Sequence, residues 1–242
     1  MDFVTVGTIL ALVISITSHE AAHAWVADKL GDPTARQLGR VTLNPLPHID
    51  PFMTILLPAI LYMSGGVLFG GAKPVPVAVH RLRRPARDFA LVALAGPGMN
   101  LVLALVFAVL LTVLSHIGRF DDPEKIARVV FGPIPEGFLV ASAWWRHSLE
   151  PGSAILLQAT FLNVLLAVFN LVPVPPLDGS RVVMYGLSRL GARQALASYV
   201  QLERFGMMIL IALFLFVPGF WVVLWGIVSP VFESVLLVVG LT

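Results

Sequence analysis

The sequence predicts an all-α polytopic membrane protein, and three observations carry that expectation. Charged residues make up only 12% of its 242 residues, about half the share usual in soluble domains. Hydrophobic residues reach 57%, and the mean hydropathy is +0.88. These apolar residues are gathered into runs near or above the roughly 18 residues that mark a spanning helix. The net charge of +2 is small, and the basic residues lie beside apolar runs without interleaved aromatics. That distribution argues against nucleic-acid binding and reads as topology marking. The chain has no cysteine, which excludes disulfide frameworks and Cys-ligated zinc or iron–sulfur sites. There is no internal repeat and no low-complexity tract.

The first segment runs from about Phe3 to Ala27, long enough to span, and DKLGDP ends it. It lacks a preceding basic region and a small-residue cleavage site, so it reads as a retained helix and not a cleaved signal. The polar stretch TARQLGRVTLNPLPHID follows, in which RVTL and NPLP favour extended chain and turns. Residues 51–70 are apolar but interrupted by Pro58 and Gly65-Gly66, and either span or re-enter. GAKPVPVAVH comes next; its prolines forbid a helix and its valines favour an extended edge strand. The basic patch RLRRPAR then leads into a third segment, about 88–115, with Gly96-Pro97-Gly98 inside it. A polar loop, 116–150, ends in Ala-Trp-Trp-Arg, whose tryptophans suit a membrane interface. The fourth segment, about 154–172, leads directly into PVPPLDGSRV. Residues 205–239 are divided by Pro218-Gly219 and again near Pro230, giving one or two passes. Glu233 lies near the end of such a pass, from where its carboxylate reaches the interface, and is assigned no role.

Basic residues orient these segments. Arg36, Arg40, Lys73, Arg81, Arg83, Arg84 and Arg87 outnumber Asp32 and Asp50, whereas 116–150 balances its charges. After the fourth segment, Arg181, Arg189, Arg193 and Arg204 outnumber Asp178 and Glu203. The expectation is that 30–87 and 178–204 face the cytoplasm and 116–150 faces outside, with 51–70 re-entrant by parity.

One cluster contradicts the apolar setting of the first segment: SITSHEAAHAW, residues 15–25. Residues four apart share a helical face, so His19 and His23 can present both imidazoles to one metal ion, with Glu20 beside them. Zinc accepts neutral imidazole, keeps a position open for water and lowers that water's pKa, while a carboxylate such as Glu20 takes the proton. Each ionisable group at the bilayer centre costs about 2.5–3.5 kcal/mol on insertion scales, so such residues usually mark function. A catalytic zinc site needs a third protein ligand. The remaining histidines, His48, His80, His116 and His147, lie in polar loops, which makes Asp178 the better candidate. It sits in NLVPVPPLDGSR, where prolines forbid regular helix and Gly179 permits a tight turn. The competing reading is that Asp178 caps the helix that follows it.

HEAAH, AGPGMN at 95–100 and FNLVPVPPLDGSR at 169–181 together resemble the site-2 protease family of intramembrane zinc metalloproteases. The resemblance runs in the family's order from His19 to Arg181, and the NxxPxPPLDG form is its most specific part. It implies that residues 1–242 form one integral membrane peptidase domain, a three-helix catalytic core with additional segments. It further implies one zinc ion per chain held by His19, His23 and Asp178, with Glu20 as catalytic base. Asn170 and Asn100 match the family's polar positions, where an amide orients the substrate backbone or stabilises the oxyanion; for Asn100 a hydrogen bond between helices is the alternative. GAKPVPV resembles the family's membrane-associated extended segment, so Lys73, Pro74, Val75, Pro76 and Val77 are expected to pair with substrate, unless they form a Pro-rich linker. A substrate helix hides its peptide bonds in its own hydrogen bonds, and an edge strand supplies the partners lost on unwinding. No PDZ-like insertion or appended domain is expected.

The function implied is regulated intramembrane proteolysis: a zinc endopeptidase in the lipid bilayer of a bacterial inner membrane, cleaving membrane-spanning protein substrates near the cytoplasmic face. The alternative is a zinc-binding membrane protein without proteolytic activity, a transporter or inactive scaffold. The presence of Glu20 argues against the scaffold, since binding alone needs only the ligands, and a transporter is expected to carry further ionisable residues along a path, which the third and fourth segments do not offer.

Overall fold

The computed structural model describes residues 2–50, 72–131 and 144–241. The expectation for 51–70 lies outside them. Helices α1 (Phe3–Lys29), α2 (Pro85–His116) and α4 (Pro151–Asn170) are the three core segments. Prolines explain where two of them begin: Pro85 and Pro151 occupy first helical positions, where a missing N–H is harmless and φ is already helical. Prolines also explain where α4 stops, because PVPP after Leu171 cannot continue it. α2 runs unbroken through Gly96-Pro97-Gly98.

α5 (Gly179–Arg189) and α6 (Arg193–Leu202) follow, then α7 (Gly206–Phe216) and α8 (Pro218–Val238). The 205–239 run therefore makes two helices, parted at Val217-Pro218. Among the described residues, five stretches are long and apolar enough to cross a bilayer: Phe3–Lys29, Pro85–His116, Pro151–Asn170, Arg193–Phe214 and Gly219–Val238. Their large outward side chains, among them Leu10, Val106, Val222 and Val238, are exposed, as suits a hydrocarbon surround.

Within the polar loop lies a helix that its composition hid, α3 (Pro123–Phe131). Asp122 Oδ1 accepts the Lys125 N–H at 2.8 Å and so caps it, while Ile126 and Val130 are buried. The two rings of the tryptophan pair part company. Trp144 is exposed, whereas Trp145 is buried against Phe161 and Phe232, with centroid separations of 5.6 Å to each.

The chain divides into two compact units. The first comprises Met1–Leu12, Asn100–Phe169 and Ile211–Thr242. Its core holds that aromatic cluster with Ala104, Ala108 and Leu111 of α2 and Leu157 and Val164 of α4. Two polar contacts join its helices: Thr8 Oγ1 donates to Gln158 Oε1 at 2.7 Å, and Asn100 Nδ2 to Asn163 Oδ1 at 2.9 Å. Helices in lipid gain no hydrophobic drive toward one another, so such bonds and close packing hold them.

The second unit comprises Val13–Met99 and Asn170–Leu210. Residues 72–78 form neither helix nor ladder in it, with Lys73 and Val75 biased to extended backbone by the prolines that follow them, and there is no strand among the described residues. This strap is held by side chains and loops instead. The Lys73 N–H donates to the His48 carbonyl at 2.8 Å. Arg40, 5% exposed, donates to the carbonyls of Pro47, Lys73 and Pro74. At the far end Asp32 Oδ2 accepts the Ala78 N–H at 2.6 Å, and Oδ1 accepts the Thr34 N–H at 3.1 Å.

Burial pushes the Asp32 carboxyl up, but the bonds from Thr34 and Ala78 and the charge of Arg81 outweigh it, leaving the group below its ordinary 3.8. A depressed native pKa contributes stability that is present above the unfolded value and lost as pH falls through the native one. Asp32→Asn is therefore expected to be less stable than wild type above about pH 5. That gap should close as pH falls below 3.8; thermal unfolding across pH measures it, and a constant gap would remove this account.

Candidate metal centre

α1 is helical through HEAAH, which puts His19 and His23 on one face, 8% and 7% exposed. Their Nε2 atoms lie 2.9 Å apart. Asp178 Oδ2 lies 3.2 Å from His19 Nε2 and 3.3 Å from His23 Nε2. Tetrahedral zinc with bonds of about 2.0–2.1 Å sets its ligand atoms about 3.3 Å apart, so the triangle matches that geometry to within a few tenths of an ångström.

His23 Nδ1 lies 2.7 Å from the Val92 carbonyl; a carbonyl only accepts, so the ring carries its proton there and turns the lone pair of Nε2 toward Asp178. Asp178 Oδ2 is buried with no hydrogen-bond donor of its own. An anionic oxygen and imidazole nitrogens meeting at one point form the donor set that zinc takes.

Asp178 reaches that point through the loop between α4 and α5. It stands before the first residue of α5, yet its side chain makes no capping bond. The helix-cap reading is therefore answered: the carboxylate turns to the histidines. A Cβ on Gly179 would lie 2.2 Å from the Leu171 carbonyl oxygen, so only glycine lets the loop fold back this closely.

Gly96 shapes the opposite side. A Cβ there would lie 2.4 Å from His23 Nε2 and 2.5 Å from His19 Nε2. Its bare backbone leaves the two imidazoles the room that a side chain would take.

Glu20 stands next to His19, half-buried, and its Oε2 accepts the Val75 N–H at 3.1 Å. Asn170 is the half-buried last residue of α4. Asn100 is fully buried, with its amide bonded to Asn163 as described. Lys73, Pro74, Val75, Pro76 and Val77 all lie in the strap. The sequence assigns no place at the site to four contributors: the Val92 carbonyl, Gly96, Arg40 and Asp32. AGPG drew notice only as a resemblance, Arg40 and Asp32 only as charges flanking the membrane, and a backbone carbonyl leaves no mark in a sequence.

The family model described as Peptidase family M50 matches residues 7–217. The chain belongs to this family. Among relatives of this M50 peptidase is "Putative zinc metalloprotease YwhC" of Bacillus subtilis (strain 168), 36% identical over 94% of this chain and 88% of that protein. "Putative zinc metalloprotease Rip2" of Mycolicibacterium smegmatis is 34% identical over 69% of this chain and 52% of that protein. No solved structure matches.

In this M50 peptidase, Gly96→Ala is expected to displace both imidazoles by more than the roughly 0.2 Å that metal–ligand distances tolerate. Zinc affinity should fall about 10–100-fold, the range seen when groups that orient ligands are disturbed. Competition with a fluorescent zinc chelator measures it, and unchanged affinity would mean that α2 yields at Gly96.

Proposed function

We propose that this chain is an intramembrane zinc endopeptidase that cleaves membrane-spanning segments of protein substrates, with His19, His23 and Asp178 as the zinc ligands and Glu20 as the base. The observation that carries the reading is the ligand triangle, with Glu20 adjacent to it, on a helix long and apolar enough to cross a bilayer. M50 membership supports peptide hydrolysis as the reaction.

When bound, zinc lowers the pKa of coordinated water and polarises the scissile carbonyl. The chain's own residues do the rest. His23 is fixed by Val92 in the tautomer that offers Nε2, Asp178 supplies the compensating negative charge, and Gly96 leaves room. Glu20 accepts the proton of the attacking water and passes it to the leaving amine. The strap lies against Glu20 and offers extended backbone to an unwound substrate, and Asn170 remains a candidate for holding the substrate backbone. Asn100 is left out, because its amide already serves Asn163.

The excess of arginine in 30–87 and 178–204 supports cleavage near the cytoplasmic face of a bacterial inner membrane, releasing a soluble fragment. The test is cleavage of single-span reporter proteins by purified enzyme in lipid vesicles. Cleavage should stop on chelation and return with zinc. Cleavage indifferent to chelation, or absent from every reporter although zinc is bound, would sink the proposal.

A further inference from the structure

The strap is extended for reasons written in its own sequence. Pro74 and Pro76 supply no N–H for a helical bond and push the residue before each toward extended backbone, and Arg40, His48 and Asp32 hold it in place. Prolines leave no N–H at 74 or 76. The N–H of Ala78 donates to Asp32, that of Lys73 to the His48 carbonyl and that of Val75 to Glu20 Oε2 at 3.1 Å. The two outer anchors, Lys73 and Ala78, therefore bracket one amide that meets the carboxylate beside His19.

We propose that Val75 is a positioning residue for the hydrolytic reaction: its backbone N–H fixes Glu20 Oε2 and so leaves Oε1 free to take the proton of the attacking water. The inference rests on the reading of Glu20 as the base. Glutamate has three rotatable side-chain bonds, and proton transfer needs the base held within hydrogen-bond reach of its partner. A fixed backbone donor restricts that search, and a strap anchored at both ends makes the donor rigid. The strap thereby has a duty toward the enzyme's own base, separate from any pairing with substrate.

Val75→Pro tests it, because it deletes this N–H while keeping an extended backbone between two existing prolines; Val75→Ala keeps the N–H and trims the side chain. With a single-span reporter in vesicles, the proline variant should lower kcat about tenfold, the effect of one lost hydrogen bond to a charged group. KM and bound zinc should stay as in wild type, and the alanine variant, which keeps the N–H, should lose clearly less kcat than the proline variant. A role confined to substrate pairing would instead raise KM at constant kcat and would overturn the proposal, as would an equal loss in both variants. Should Val75→Pro fail to hold zinc, the double variant Pro74→Gly/Pro76→Gly loosens the strap at two exposed positions. It should lower kcat in the same sense, and unchanged kcat there would likewise count against the proposal. Wild-type turnover and its loss in Glu20→Gln test the underlying reading separately. An enzyme that loses turnover in Glu20→Gln but is indifferent to Val75→Pro refutes only the inference.

Discussion

Glu20→Gln is expected to lower kcat for membrane reporters about 10³-fold, within the range general base catalysis supplies, while the protein keeps its zinc. The substitution preserves size and keeps an oxygen able to accept the Val75 N–H, so the contact at 3.1 Å can persist. What it removes is the capacity to accept a proton. Glu20 is outside the ligand triangle of His19, His23 and Asp178, so metal content separates loss of the base from loss of the site. Turnover and zinc per chain, measured on the same preparation, decide it. Activity above about a tenth of wild type would assign the proton to another group.

Asp178→Ala should have its largest effect on the metal itself. Disturbing groups that merely orient ligands costs about 10–100-fold in affinity, and removing a ligand oxygen that lies 3.2 and 3.3 Å from the two ring nitrogens should exceed the upper figure. The loss removes the site's anionic corner and leaves a divalent ion facing two neutral rings. Because the Asp178 side chain makes no capping bond to α5, the start of that helix should survive, and a fall in zinc would not be a by-product of unfolding. Equilibrium dialysis at buffered free zinc is the measurement. Unaltered binding would show that the third ligand lies elsewhere; binding lost together with helix content would show that Asp178 supports the loop itself.

Much of the architecture is legible from local features, because membrane helices answer to a local rule. A run of about twenty apolar residues must satisfy its own backbone, and only a helix does so. That is why α1, α2 and α4 begin and end within a few residues of the expected bounds. α3 was legible too, through Asp122, Pro123 and Glu124 as a helix start, but its few apolar residues gave no long periodic signal. The strap reads as extended from its prolines, yet the partners that replace a ladder come from Arg40, His48 and Asp32, which no spacing rule connects to it.

By itself the sequence determined the helix that carries His19, Glu20 and His23, since residues four apart on one helix share a face whatever surrounds them. It also singled out Asp178, because a lone acid among prolines beside a membrane segment demands a reason. Only the tertiary structure decided that Asp178 meets those histidines across 155 residues, that Gly96 leaves them space, that Val92 sets the tautomer of His23 and that Val75 holds Glu20. The physical reason is range: helical periodicity is fixed by neighbouring backbone dihedrals, whereas a ligand set drawn from two distant segments exists only once packing has brought them within a few ångströms.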